Sequence, residues 1–231
     1  MINFLTLFFP RRCAICDKIV PGEGMICKDC SKEERILAGE TCIICGKPLK
    51  QGGSHCFDCK RRHHYFKKNI AVFSYESVRA GLYRFKYAGR CEYARFYARE
   101  TFCTYGREIA AWKADAIIPV PIHKKRRRKR GYNQAEEFAL ELSKCFSIPV
   151  KSDLVRRNLN TKPMKLLSRS ERQNNLKKAF LIGKNDVKLN TIILVDDIYT
   201  TGTTLDCIAH VCMEAGIRNI YAITIAVGNG L

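Results

Sequence analysis

A chain of 231 residues with 46% hydrophobic residues has room for one sizeable folded domain and a smaller one. Its 41 Lys and Arg against 22 Asp and Glu leave a formal net charge of +19, which points to a polyanionic partner and says nothing of fold. No apolar run approaches the ~20 residues of a membrane span, and 13 cysteines in such a chain suggest metal rather than disulfides if their spacing agrees.

The apolar start, Met1 to Phe9, has no basic residue before it and Arg11 and Arg12 after it, against the order of a signal peptide. It reads as a turn of helix that docks apolar residues on a neighbour, with a membrane-surface anchor as the alternative. The expected location is cytoplasmic.

The cysteines then come in pairs: Cys13/Cys16, Cys27/Cys30, Cys42/Cys45 and Cys56/Cys59. Each pair is C-x2-C, and the unit C-x2-C-x10-C-x2-C occurs twice, an internal repeat of two small metal modules. Two thiolates on a tight turn present both sulfurs to one tetrahedral ion, and two such turns complete a Zn(Cys)4 site. The reading is two structural Zn2+ ions. Sequential sites (Cys13, Cys16, Cys27, Cys30, then Cys42, Cys45, Cys56, Cys59) are preferred, and an interleaved pairing stays open. Gly46 suits the turn after Cys45. His55, His63 and His64 are read as bystanders, since eight cysteines fill two sites. Metal is needed because segments this short cannot bury enough apolar surface alone. The module is assigned to residues 1–68, and its cluster Lys60-Arg61-Arg62 suits nucleic acid or a neighbouring domain.

The remainder, 69–231, has the texture of an α/β domain. Ile70–Tyr75 reads as a strand. Val78, Leu82 and Phe85 mark a helix face ahead of Lys86-Tyr87-Ala88-Gly89, and a second helix is predicted over about 92–103. Cys91, Cys103, Cys145, Cys207 and Cys212 have no paired spacing and are read as structural thiols. Ala116 to Pro121 is a buried strand that ends in two prolines. Seven consecutive cations follow, Lys124, Lys125, Arg126, Arg127, Arg128, Lys129 and Arg130. Their mutual repulsion predicts an exposed loop or helix entrance. Ala135, Phe138, Ala139 and Leu142 mark an amphipathic helix. Residues 158–165 form a polar, basic connection, Ser168 with Glu171 has the form of a capping box, and Ala179–Ile182 reads as a strand.

The most informative stretch is 191–204. Thr191 to Val195 reads as a fully buried strand, then come Asp196 and Asp197, then Thr200, Thr201, Gly202, Thr203 and Thr204. Leu205, Ile208, Ala209 and Cys212 recur at helical spacing, and Asn219–Val227 is another strand, completing a βαβ unit. Free N–H groups at the helix start, the helix dipole and four hydroxyls favour a phosphate, and Gly202 lets the backbone approach it. The two carboxylates suit sugar hydroxyls or Mg2+.

Val-Asp-Asp-Ile-Tyr-Thr-Thr-Gly-Thr-Thr resembles the phosphoribosyl-pyrophosphate (PRPP) loop of type I phosphoribosyltransferases. The resemblance implies that Asp196 and Asp197 hold the ribose hydroxyls and that Thr200 to Thr204 cradle the 5′-phosphate. It also implies a parallel sheet with helices on both faces. With the paired cysteines, Phe85-Lys86-Tyr87-Ala88-Gly89, Pro119-Val120-Pro121 and Arg130-Gly131-Tyr132-Asn133-Gln134, the chain is similar to the ComF family over nearly its whole length. These are competence-associated proteins with an N-terminal zinc ribbon and a phosphoribosyltransferase-like domain. One departure is Met164, where the family pattern has Gln.

The likeness places a pyrophosphate site at Val120, Pro121, His123, Lys124 and Arg130, and a mobile loop around 156–168. It implies PRPP or another ribose 5-phosphate with Mg2+ and a role in DNA uptake, and the cationic run Lys124 to Arg130 is read as the surface for single-stranded DNA. A DNA-uptake helicase is an implied partner. The alternative is an active phosphoribosyltransferase of nucleotide metabolism with an unidentified acceptor. No residue announces itself as a nucleobase reader.

Overall fold

The computed structural model describes residues 10–32, 36–37, 39–49, 52–157, 179–183 and 189–228. The expected helical turn at 1–9, the capping box at 168–171, position 164 and nearly all of the 156–168 loop lie outside the described residues. In chain order come α1 (Lys28–Ser31), α2 (Phe57–Lys60), β1 (Lys68–Ser74), α3 (Tyr75–Tyr87), α4 (Tyr93–Ala111) and β2 (Ala116–Pro119). Then follow α5 (Lys124–Arg130), α6 (Gln134–Phe146), β3 (Val155–Arg157), β4 (Phe180–Ile182), β5 (Thr191–Tyr199), α7 (Thr203–Glu214) and β6 (Asn219–Val227). Among the described residues no helix is long and apolar enough to cross a membrane.

Four of the strands form one sheet in the order β1-β6-β5-β2, parallel throughout. Because alternate residues of a strand face opposite ways, each strand feeds two cores. Ile70, Val72, Ile193, Val195, Ile223 and Ile225 face Val78, Leu82 and Phe85 of α3, Tyr97 and Ile109 of α4, and Phe138 and Leu142 of α6. Ala71, Ile118, Ile192, Leu194 and Ala222 face Leu205, Ile208 and Cys212 of α7. The antiparallel pair β3–β4 adds Val155 and Phe180 to that second side. Each large apolar side chain so buried contributes about 1.5–3 kcal/mol.

Several boundaries differ from the expectations. β5 continues through both aspartates to Tyr199, because its pairing with β6 continues to Tyr199↔Val227. The helix expected to stop near 103 runs to Ala111, where buried Ile109 keeps it on the sheet. Cys91 and Cys103 are exposed, unlike buried Cys207 and Cys212. The cationic run is a helix, α5. His123 caps it by accepting from the Lys125 amide, and Gly131 closes it at φ 84°.

Both sheet edges are occupied, which removes the pairing hazard of an open strand. Outside β2, Ile117 and Lys151 exchange bonds along the 149–151 segment, Ile117 N to Pro149 O at 2.8 Å and Lys151 N to Ile117 O at 2.9 Å. Outside β1 lies the cysteine-rich module. The Asn69 amide donates to Ile44 O at 2.6 Å, the Leu37 amide to Val72 O at 2.9 Å, and buried Asn69 Nδ2 to Cys45 O at 3.0 Å. Gly46, at φ 73°, has the Ala71 N and Asn69 O each 3.2 Å from where a Cβ would stand, so a side chain there would be strained and would force the module and β1 apart by a few tenths of an ångström.

Gly81 of α3 is the contact that seats the first cysteine loop, for a Cβ there would run into the Ala14 carbonyl and the Tyr97 hydroxyl. An exposed helical Gly→Ala change gains about 1 kcal/mol. Gly81→Ala is expected to lose stability instead, and urea unfolding of the two proteins checks the sign.

Candidate functional site

The crevice between β2 and β5 is where the chain reverses its direction of growth. After β2 it moves outward to Val150, which bridges Ile117 in parallel, whereas after β5 it moves inward to β6. Open α/β sheets place ligands at the carboxyl ends of strands at such a point. Pro119 pairs with Val195, and the Val120 amide donates to Val195 O at 2.8 Å, so the loop Val120–His123 starts beside Asp196 and Asp197.

Both aspartates project from the end of β5. The Asp197 amide donates to Asp196 Oδ1 at 2.9 Å. Burial, then the adjacent Asp197 charge, pushes Asp196 up from 3.8 to about 7. Lys86 Nζ stands 2.9 Å from Asp197 Oδ1, with both side chains only 17% exposed. Arg157, on β3, is lowered by its own burial and by Arg126, and its charge bears on Asp196. The acid pair is thus met by cations from two segments, Lys86 of α3 and Arg157 of β3.

Lys86 is a residue that sequence reasoning left without a role. Its signal was the Phe85–Gly89 segment, which ties the site together. Tyr132 donates to the Phe85 carbonyl, and the Arg130 guanidinium lies 4.7 Å over the Tyr87 ring and donates to its hydroxyl at 3.2 Å. Arg130 also donates to Gln134 Oε1 at 2.7 Å, and Arg127 pairs with Glu136 at 3.1 Å. Asn133 donates to Val120 O at 3.0 Å and caps α6 by accepting from the Ala135 amide. Lys124 to Lys129 are exposed, while the buried Gln134 Nε2 has no partner among the described residues.

Thr200 to Thr204 form the turn into α7. Gly202 stands at φ 74°, and the Tyr199 ring fills the space where its Cβ would project, so Gly is required on both counts. Thr201 and Thr203 share a hydroxyl–hydroxyl bond of 2.8 Å, and no side chain caps the helix, which leaves its first N–H groups for an anion.

The cysteine-rich module reaches this turn. Arg62 donates to Thr201 O at 3.3 Å. Asp206, in the first turn of α7, accepts from the Tyr65 amide at 3.1 Å and pairs with His64 Nδ1 at 2.8 Å. The other nitrogen of His64 lies 3.4 Å from Cys59 Sγ. His64 stays outside the ligand sets, as expected, but it is in contact with one of them. It links a cysteine tetrad to the helix that follows the threonine turn, as outer partners of metal sites do.

The eight thiols converge as Cys13, Cys16, Cys27, Cys30 and as Cys42, Cys45, Cys56, Cys59, with all ligand atoms of each set within 4.8 Å of one another. The pairing is sequential. Cys16–Cys27 and Cys45–Cys56 sulfurs lie 3.6 Å apart. A tetrahedral ion with Zn–S bonds of about 2.3 Å needs about 3.8 Å, so the donors fit zinc. A hydrogen bond from Cys59 lowers the Cys45 thiol, which favours a thiolate there.

The two loops repeat in detail. Asp17 and Gly46 both take positive φ and donate to the first cysteine's carbonyl at 2.9 Å. Lys18–Asp29 and Lys47–Asp58 pair at 2.9 and 2.8 Å. Only their docking differs. Asp17 is held by Tyr93, Arg84 and Arg90 on the helical side, whereas the second loop meets β1 and the threonine turn.

The model of the double zinc ribbon domain family matches residues 4–60. Competence protein F of Haemophilus influenzae is 39% identical over 108 residues, 46% of this chain and 47% of its own length. Competence protein ComFC of Bacillus subtilis is 30% identical over 152 residues, 65% of this chain and 60% of its own. DNA utilization protein YhgH of Shigella flexneri is 33% identical over 106 residues, 46% of each chain. These matches span about half to three-fifths of the relatives' lengths. A purine phosphoribosyltransferase from Pyrococcus horikoshii superposes on 56% of this chain and 72% of its own at 20% identity. Its TM-score of 0.35 is too low to carry an argument.

Two tests follow from this geometry. Elemental analysis of reduced protein should give two zinc ions per chain, and chelation should deprotect the Asn69 amide to hydrogen exchange, because its acceptor Ile44 O belongs to the second loop. One zinc or none contradicts the assignment. The second concerns Asp196, whose raised pKa means the folded state holds the proton more tightly than the unfolded one. Its contribution is full below the unfolded value and is lost as pH rises through about 7. Asp196→Asn keeps the neutral form, so its stability relative to wild type should rise by about 1 kcal/mol per pH unit approaching pH 7. Urea titrations from about pH 5 to about pH 7 read the rise, which levels off above about pH 7, and a constant offset speaks against it.

Proposed function

The chain is a relative of the ComF competence proteins, and from that kinship we propose that it binds PRPP or a similar ribose 5-phosphate and handles single-stranded DNA during uptake. One observation carries the ligand reading: an acid pair, a hydroxyl-rich helix start and a cationic helix surround one crevice at the carboxyl ends of β2 and β5. No other polar cluster among the described residues has this composition at a strand switch.

In this reading Asp196 and Asp197 accept hydrogen bonds from the ribose hydroxyls. The turn of Thr200, Thr201, Gly202, Thr203 and Thr204 donates N–H and O–H groups to the 5′-phosphate. Val120, Pro121 and His123 bound the pyrophosphate subsite, with Lys124 and Arg130 supplying charge, and Lys86 holds Asp197 in place. Mg2+, when bound with PRPP, would supply positive charge to the pyrophosphate. The DNA surface is α5, whose cations from Lys124 to Lys129 are exposed, while Lys60-Arg61-Arg62 lies beside the threonine turn through the Arg62 contact. Reduced thiols and a PRPP-type ligand suit a cytoplasmic site, and a DNA-uptake helicase is the proposed partner.

An intact Asp-Asp and Thr-Thr-Gly loop flanked by cations also suits pentosyl transfer, in which those cations stabilise departing pyrophosphate. Incubation of PRPP and Mg2+ with a panel of bases decides. Pyrophosphate release that requires one particular base makes the protein a transferase.

Calorimetry with PRPP and Mg2+ should give binding that the double change Asp196→Asn and Asp197→Asn weakens without loss of zinc. Each lost charge-assisted bond costs about 1.5–3 kcal/mol, roughly ten- to a hundredfold in affinity. Equal affinities reject the ribose role. For DNA, neutralising about five phosphates predicts a log K against log salt slope near −3.5 on single strands. Replacing Arg126, Arg127 and Arg128 by Gln should flatten it by about two. If PRPP affinity collapses instead and the DNA slope holds, the run serves only pyrophosphate.

A further inference from the structure

The inner face of α3 buries Val78, Leu82 and Phe85. Its outer face carries Arg79, Tyr83 and Tyr87, one turn apart in succession and all exposed. Tyr83 is 64% and Tyr87 56% exposed, and their rings stand side by side with centroids 5.0 Å apart. Two large aromatic rings left in water do nothing for the core, and the Tyr83 hydroxyl has no protein partner among the described residues. The pair is continuous with α5. Arg130, its last residue, stacks 4.7 Å over the Tyr87 ring and donates to its hydroxyl at 3.2 Å, so the orientation of Tyr87 is set from the cationic helix.

We propose that Tyr83 and Tyr87 form a base-stacking platform for single-stranded nucleic acid, alongside the phosphate-binding cations of α5. The inference rests on the reading of Lys124 to Arg130 as a nucleic-acid surface and adds what that reading lacks, a group that meets the bases. Cations track the backbone, and aromatic rings accept the exposed face of any base, so the combination favours single strands without sequence preference. A duplex hides those faces between stacked pairs. An acidic protein would engage the cations and leave the rings idle. The same α3 segment sends Lys86 to Asp197, so a strand on the platform passes beside the crevice.

The test uses full-length, zinc-loaded protein and oligothymidylate. Changing Tyr83→Leu and Tyr87→Leu together should weaken binding about fivefold or more per residue. The salt slope should stay at its wild-type value, because the phosphate contacts remain. Tyr83→Phe with Tyr87→Phe should bind like wild type, which separates loss of the ring from loss of the Arg130 contact. Wild type should bind an abasic strand of equal length as weakly as the Leu variant binds oligothymidylate. With 5-iodouracil in the strand, photocross-links should fall on Tyr83 or Tyr87. Unchanged affinity in the Leu variant, with the wild-type salt slope intact, overturns the platform and leaves the α5 reading standing. Wild-type protein that binds no single strand at all overturns both.

Discussion

Where β2 and β5 run side by side, Pro119 faces Val195 and the Val120 amide is spent on the Val195 carbonyl. One peptide further the chains part, one into a cationic helix and the other into two aspartates and a threonine turn. That parting follows from sheet order, since β2 feeds the outer edge and β5 feeds β6. Had β5 paired elsewhere, the acids and the cations would stand at unrelated places on the surface. Parallel pairing also aligns both strand ends toward one side, which makes a single crevice from two distant stretches of chain.

The short segment Phe85–Tyr87 holds that crevice in shape. Its three side chains have three separate duties: Phe85 fills the helical core, Lys86 answers Asp197, and Tyr87 receives Arg130. The backbone carbonyl of Phe85 takes the Tyr132 hydroxyl as well. The end of α3 therefore fixes the cationic helix and the acid pair relative to each other. Lys86 and Asp197 stabilise one another as a half-buried pair, and removing either would leave a charge poorly compensated.

The two cysteine loops are chemical copies put to different structural use. Each satisfies itself internally through its four sulfurs and its Lys–Asp pair, so its outer surface is free to dock. The first meets helices through Asp17 and Ala14. The second completes the edge of β1 and, through Cys59, His64 and Asp206, touches the start of α7. Duplication of a metal loop thus supplied both a cover for the sheet edge and a support for the threonine turn.

What the amino-acid order determined by itself was everything set by near neighbours. The paired cysteines declared two tetrads, because two residues between thiols fix a turn. The strand–acid–threonine–helix run declared a buried strand, a tight turn and a helix, because buried β-branched residues and a Gly at positive φ are local requirements. Tertiary structure alone decided the sequential pairing of the tetrads, the helical form of Lys124 to Arg130, and the roles of Lys86, His64 and Asp17. Lys86 lies over a hundred positions from Asp197, and His64 lies 142 from Asp206, so no periodicity relates them. A Lys or His side chain looks the same in sequence whether it is solvated or paired. Only the packing of α3 and of the second cysteine loop against the carboxyl ends of the sheet gives each one its partner.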